Sequence, residues 1–162
     1  MTVERLEAGR FGFVSECFVC NPTNERGLRV PFFHDTDAAV VFADFTLDEH
    51  FSGAPTYVHG GATLALLDEA MAWAAIAIGG KFAVTHETTA RFDWPVRIGR
   101  AYRIQASVTA GDDRRMTTEA SVLDDKGRTC VTATATMVVL DLEQAGEATG
   151  GDIAGDDTKF VR

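Results

Sequence analysis

A chain of 162 residues with 46% hydrophobic side chains is long enough for one domain with a core that needs neither disulfides nor metal. The formal charge is −9, and residues 141–162 supply −4 of it through six acids and two bases, so no basic face for nucleic acid is expected. No apolar run approaches the roughly 20 residues of a membrane span, and the acidic start Met1-Thr-Val-Glu-Arg-Leu-Glu lacks the apolar segment of a secretory signal, so a cytoplasmic protein is expected.

Residues 1–28 read as a loop-rich lead-in with room for one short helix, because Gly9, Gly12 and the run Asn21-Pro-Thr-Asn-Glu-Arg-Gly27 are turn signals. Cys17 and Cys20 form a lone C-x-x-C in this stretch. A structural zinc site normally takes four ligands, and no second pair or His pair stands at matching spacing, so the reading is no metal and buried or redox-active thiols. Residues 29–142 should form the folded domain. Arg29–Phe33 and Ala38–Thr46 are β-branched and aromatic, separated by the turn His34-Asp-Thr-Asp37, and suit two antiparallel strands. The polar stretch Asp48–Tyr57, with Gly53 and Pro55, should be a loop leading to His59-Gly60-Gly61.

From Ala62 to Ile78 only Thr63, Asp68 and Glu69 are polar, which predicts a helix of roughly 25 Å that is apolar nearly all round and must be wrapped by other elements. Gly79-Gly80 should stop it. Strands are then expected over Phe82–Phe92, Ala101–Thr109, Met116–Leu123 and Thr129–Leu140, in an antiparallel meander. Tyr102, Ile104, Ala106 and Val108 alternate with Arg103, Gln105, Ser107 and Thr109, the period of a half-buried strand. One buried helix followed by a long antiparallel sheet is an α+β layout with the sheet curled around the helix. Residues 143–162, acidic and Gly-rich, are expected to be mostly disordered.

Charges in an apolar helix are costly, so Asp68 and Glu69 require a reason. Residues at helical spacing from Asp68 are Gly61, Leu64, Ala65, Met71, Ala72 and Ala75, a stripe of mostly small side chains along which another backbone can approach. Gly60 and Gly61 precede the helix, where free amides and the positive end of the dipole can hold developing negative charge. Gly61 and Asp68 are seven residues apart, roughly 10 Å along one helix, too far to act on one carbonyl. Two chains with antiparallel helices across a two-fold axis would bring the amide of one to the carboxylate of the other.

The segment Tyr57-Val-His59-Gly60-Gly61-Ala-Thr-Leu-Ala-Leu-Leu-Asp68-Glu69-Ala-Met71 resembles the hotdog thioesterase superfamily, specifically its PaaI-like branch, whose signature is H-G-G with an acid nine residues after the His. Ala83-Val-Thr85-His-Glu87, Arg91-Phe-Asp-Trp-Pro-Val96 with Gly99, and the two final strands extend the likeness over roughly residues 17–140. The resemblance implies a hotdog fold, a curved antiparallel sheet wrapped around one long buried central helix, and an acyl-CoA thioester as substrate, with no cofactor. It makes Asp68 the catalytic carboxylate, as nucleophile or general base, Gly60 the oxyanion amide, His59 the residue shaping the turn or carbonyl pocket, and Thr85 a hydroxyl placing water near the acid. Gly61, Arg91 and Arg97 are candidates for substrate binding, with Arg100, Arg114, Arg115, Lys126 and Arg128 completing the pool of cations for CoA phosphates. Glu69 is given a supporting or structural role. The implied assembly is a homodimer, with a dimer of dimers as a further possibility.

One departure concerns Gly53: six residues before the His, many relatives carry an Asn or Gln that supports the oxyanion hole. Two other readings stay open, a non-catalytic acyl-CoA or lipid binder on the same fold and a hotdog hydratase. The hydratase would need an Asp and His in a longer segment that is not found here.

Overall fold

A computed structural model describes residues 2–162. Seven strands, β1 (Val3–Leu6), β2 (Phe32–Asp35), β3 (Val40–Phe45), β4 (Ala83–Phe92), β5 (Tyr102–Gly111), β6 (Arg115–Leu123) and β7 (Thr129–Val139), surround the helix α1 (Gly60–Ala77), and a short helix α2 (Leu142–Thr149) follows. They form one antiparallel sheet in the order β1-β2-β3-β5-β6-β7-β4. Among the described residues no helix is long and apolar enough to cross a membrane.

The apolar helix is wrapped as its composition demands. Leu66, Leu67, Ala70, Met71, Ala74 and Ala75 are fully inaccessible. They meet the inward positions of the sheet, Val41 and Ala43 from β3, Ile104 from β5, Val122 from β6, and Val131, Met137 and Val139 from β7. The alternation read over Tyr102–Ala106 is the observed one, with Tyr102, Ile104 and Ala106 buried and Arg103 and Gln105 outward. Thr118, whose side chain is also inaccessible, directs its hydroxyl to the Ala135 carbonyl at 3.5 Å, and this hydrogen bond offsets part of the cost of burying it.

Four expectations need correction. The meander holds only for β5-β6-β7. Strand β4 crosses to the far side of β7 and becomes an edge, because the helix–strand crossover from α1 lands beyond the meander rather than next to β5. The strand foreseen over Arg29–Phe33 starts only at Phe32: Arg29 is in the left-handed region (φ 55°), and Pro31 has no amide to give a ladder. The lead-in contains β1, paired with β2, and a 3-10 turn at Ala8–Phe11. The tail is folded rather than disordered. Asp141 caps α2 in a capping box with Gln144, and Ala145 and Ile153 are buried. Phe160 meets Phe11 edge-on and Phe82 at a tilt, with ring centroids at 5.4 and 5.2 Å. The amide of Phe82 donates to the Phe160 carbonyl, and Lys81 Nζ donates to the carbonyls of Lys159 and Val161. A few well-spaced anchors outweigh a polar average composition.

Helix α1 ends where the two glycines were expected to stop it. The Gly79 amide returns to the Ala74 carbonyl and Lys81 N to Ala75 O, while Gly80 takes φ +71°. A Cβ on Gly79 would collide with the Met116 sulfur and the Ala75 carbonyl; at Gly80 the space is open and only the backbone conformation is at stake. Gly80→Ala should therefore cost roughly 1–2 kcal/mol, the strain of a left-handed non-glycine residue, and Gly79→Ala more, in urea unfolding monitored by circular dichroism. Equal midpoints for both variants and the parent would contradict this account of the helix stop.

Candidate active site

His59 opens α1 as its N-cap, an unusual choice where Ser, Thr, Asp or Asn prevail. Its Nδ1 accepts the Gly61 amide at 2.8 Å, so this nitrogen is unprotonated and a neutral ring carries its proton on Nε2. The His59 amide is held by the Phe51 carbonyl at 2.8 Å. With Gly61 engaged by the cap and Ala62 and Thr63 bonded to the His59 carbonyl, the amide of Gly60 is left without an acceptor among the described residues. Gly61, equally eligible from sequence, is thereby assigned to the cap. A Cβ on Gly60 would touch only the Phe92 ring, at 3.9 Å, so the amide lies in open space.

Gly53, the position that departs from the resembled pattern, packs against the cap. A Cβ there would stand 3.2 Å from His59 Cα and 3.4 Å from its ring, and the Gly53 amide donates to the Tyr57 carbonyl. An Asn or Gln side chain starting there would press on the His59 backbone and ring, which would have to give by a few tenths of an ångström.

Eight residues along α1, Asp68 is exposed, and its Oδ1 accepts the hydroxyl of Thr85 at 2.6 Å. Thr85 lies on β4 at a bulge: it pairs with Met137 while Glu87 pairs with Thr136, leaving His86 as the extra residue. Such a bulge re-aims the flanking side chains. Nothing in the β-branched run Val84-Thr85 announces it. Gly60 and Asp68 are on one helix, eight residues or roughly 12 Å apart, and the path between them is lined by Gly61, Leu64 and Ala65. Leu64 is 38% exposed, and the neighbouring edge strand β4 exposes Val84 and Phe92 at 47% each. Met71 and Ala75, which helical spacing grouped with this stripe, turn instead into the core.

Glu69, about 100° further round the helix, points elsewhere. Its Oε1 lies 3.3 Å from the sulfur of Cys17, with Cys20 beside it. Burial, then the charge on Cys17, pushes the Glu69 carboxyl up to about 7. The Cys17 thiol is drawn down to about 5 by hydrogen bonds from Cys20 and from the backbone of Cys20 and Val19, and the Cys20 thiol is driven up. Sequence reasoning treated the cysteine pair and Glu69 separately; their junction depends on where a 52-residue separation closes.

Of the candidate cations, Arg97, Arg100, Lys126 and Arg128 gather around a cleft of about 320 Å³ that also includes Trp94 and Tyr102. Arg128 is bonded to Asp124 and stacks over Trp94 at 4.2 Å, and Arg97 lies over the Tyr57 ring at 5.3 Å. Arg91 is outside this cleft, on β4, and pairs with Asp93 at 3.0 Å. Arg114 and Arg115 lie at the β5–β6 turn, away from it.

The family model described as thioesterase superfamily matches residues 56–131, from just before His59 into β7. No curated protein matches the sequence. A crystal structure of a thioesterase superfamily protein is similar at 27% identity and a TM-score of 0.70, covering 76% of this chain and 60% of that one, so the chain spans less than two thirds of that relative. The Escherichia coli PaaI protein from the phenylacetic acid degradation operon is 19% identical over 63% of this chain and 73% of that one, TM-score 0.59. A hypothetical thioesterase from Streptococcus pneumoniae, crystallised with coenzyme A, is 18% identical over 62% and 77%, TM-score 0.59. At those identities the last two speak for the fold alone. With the signature helix inside the matched segment and the same sheet around it, the chain has the hotdog fold and is similar to the thioesterase superfamily over residues 56–131.

Proposed function

We propose that the protein hydrolyses an acyl-CoA-type thioester, with Asp68 as the catalytic carboxylate and the Gly60 amide as oxyanion donor, in a site completed by a second copy of the chain. The observation that carries this reading is the 2.6 Å hydrogen bond from Thr85 to Asp68 beside the β4 bulge. It occupies one carboxylate oxygen and holds the other toward the open face. Water held there loses a proton to Asp68 as its oxygen attacks the thioester carbonyl. The carbonyl oxygen takes up negative charge against Gly60 N–H at the positive end of α1. Collapse breaks the C–S bond, the thiolate takes the proton, and a carboxylic acid and free thiol leave.

The second copy follows from length. Roughly 12 Å separates Gly60 from Asp68 along α1, whereas an attacking water and an oxyanion donor must address one carbonyl. Two α1 helices running antiparallel would set each Gly60 against the other chain's Asp68, and the small residues Gly61, exposed, and Ala65, half-buried, permit close approach. Covering Leu64, Val84 and Phe92 would also remove apolar surface from water. The coenzyme is drawn to the cleft of Arg97, Arg100, Lys126 and Arg128, where Arg100 and Lys126 form no ion pair among the described residues and are free for phosphate. The coenzyme A in the Streptococcus pneumoniae relative supports this class of substrate.

Thiol release from a panel of acyl-CoAs tests the activity. Asp68→Asn should lower kcat by about 10²–10⁴-fold, the scale of positioned acid–base catalysis, while Thr85→Val loses less and Thr85→Ser retains most of it. Turnover undiminished in Asp68→Asn would end this reading. Leu64→Glu places a charge in the proposed contact and should give a folded monomer without turnover, seen by sedimentation. An active monomer would refute the shared site. Arg100→Ala with Lys126→Ala should raise KM for acyl-CoA with kcat largely kept, the mark of binding that is equal in ground and transition states. Unchanged KM would move the coenzyme elsewhere.

A further inference from the structure

We infer that Cys17, Cys20 and Glu69 form a binding site for a thiophilic divalent cation, zinc foremost, held between the N-terminal loop and the back of helix α1. The sulfurs of both cysteines and a Glu69 oxygen all lie within 4.8 Å of one another. The Cys17 sulfur and Glu69 Oε1 are 3.3 Å apart. With Zn–S of about 2.3 Å and Zn–O of about 2.0 Å, a tetrahedral ion sets sulfur and oxygen ligands roughly 3.5 Å apart. The Cys17 and Glu69 donors therefore stand near the separation the ion imposes before any ion is bound, with the Cys20 sulfur within 4.8 Å of both.

The loop is built to keep them there. Cys17 N donates to Ser15 Oγ at 3.0 Å and Asn21 N to the Cys17 carbonyl at 3.1 Å, which pins the first ligand's backbone. Leu28 N donates to Phe18 O at 2.6 Å and Val30 N to Val19 O at 2.9 Å, while the side-chain amides of Asn21 and Asn24 tie back to the carbonyls of Ser15 and Glu16. Gly27 lies so close to the Phe18 carbonyl that no Cβ would fit. Electrostatics points the same way. Two thiols and a carboxyl share a half-buried space, and no cationic side chain pairs with Glu69 among the described residues. A dication supplies the missing charge as the thiols give up their protons to solvent. The mixture of thiolate and carboxylate suits zinc better than the harder alkaline-earth ions. A simple disulfide-forming pair would give Glu69 no role. Cys17 and Cys20 also line a cavity of about 310 Å³ bounded by Leu6, Phe13, Val14 and Pro31, a route by which the ion and a water for its fourth position would enter.

The test is a titration of the full reduced chain, stripped of metal, with Co(II) followed by Zn(II). One equivalent of Co(II) should produce sulfur-to-cobalt charge-transfer absorption together with the visible bands of a tetrahedral ion, and Zn(II) should abolish both. Cys17→Ser and Cys20→Ser should lose the charge-transfer band, and Glu69→Gln should weaken Co(II) binding by more than the tenfold at which the loss of a mere outer partner begins. Glu69→Asp, which keeps the carboxylate, should hold the band if the Gln variant proves poorly folded by circular dichroism. Cys130→Ser and Asp68→Asn should bind as the parent does, which separates this site from the thioesterase reading. Absence of the band in the folded parent, or full affinity in a folded Glu69→Gln, overturns the inference.

Discussion

Everything in this molecule depends on covering a helix that has no polar face. Eight of the eighteen residues of α1 are buried in one chain, among them Leu66, Leu67 and Met71 with no exposure at all. Each large apolar side chain so buried contributes on the order of 1.5–3 kcal/mol, which is what makes the strands curl around the helix instead of lying flat beside it. A sheet with one helix on its inner face cannot reach every side of it. The uncovered side carries Gly61, Leu64 and Asp68, next to the exposed edge β4. The chemistry is proposed for that gap, and so is the contact with a second copy.

The two ends of the chain close the other weak point, the C-terminal end of α1. Phe11 meets Trp73 at 5.6 Å, Phe13 meets Phe82 edge-on at 5.8 Å, and Phe160 bridges Phe11 and Phe82. Residues from the lead-in, the helix, the start of β4 and the tail thus share one aromatic cluster. Pairs of this geometry add about 0.5–1.5 kcal/mol beyond the area they bury. The cluster fixes where α1 hands over to β4, and with it the depth at which Thr85 meets Asp68.

How far the sequence could be read follows from which signals are local. The central helix was readable because its signal lasts over 17 residues and ends in two glycines, and β5 because Tyr102-Arg103-Ile104-Gln105-Ala106 alternates without interruption. Asp68 stood out since a charge in an apolar run is locally anomalous; Thr85, expected to place water near it, donates its hydroxyl directly to the carboxylate. Long-range pairing left no such trace. The crossover that carries β4 past β7, the pairing of β1 with β2, and the anchoring of Phe160 are decided between residues tens of positions apart. The tail misled because disorder was judged from average polarity, whereas Ala145, Ile153 and Phe160 act singly. Gly60 was set apart from Gly61 only by the resemblance, and the His59 ring is seen to occupy the second amide.

Adjacent carboxylates on one helix share a backbone but not an environment, and α1 uses the difference. A rotation of about 100° per residue sends Asp68 to the open side, where a single hydroxyl orients it, and Glu69 to the closed side, where burial raises its carboxyl to about 7 against two thiols. Exchanging them would fail on both counts. A carboxylate proposed to accept a proton from water needs solvent on one side, which Glu69 lacks behind the 15–30 loop. A carboxylate that must hold that loop against the helix needs enclosure, which Asp68 lacks in its exposed position beside β4. Because α1 is a rigid element, whatever fixes Glu69 also fixes the azimuth of Asp68. The loop carrying Cys17 and Cys20 therefore bears on the geometry of a site it does not touch, acting through the helix to which it is fastened.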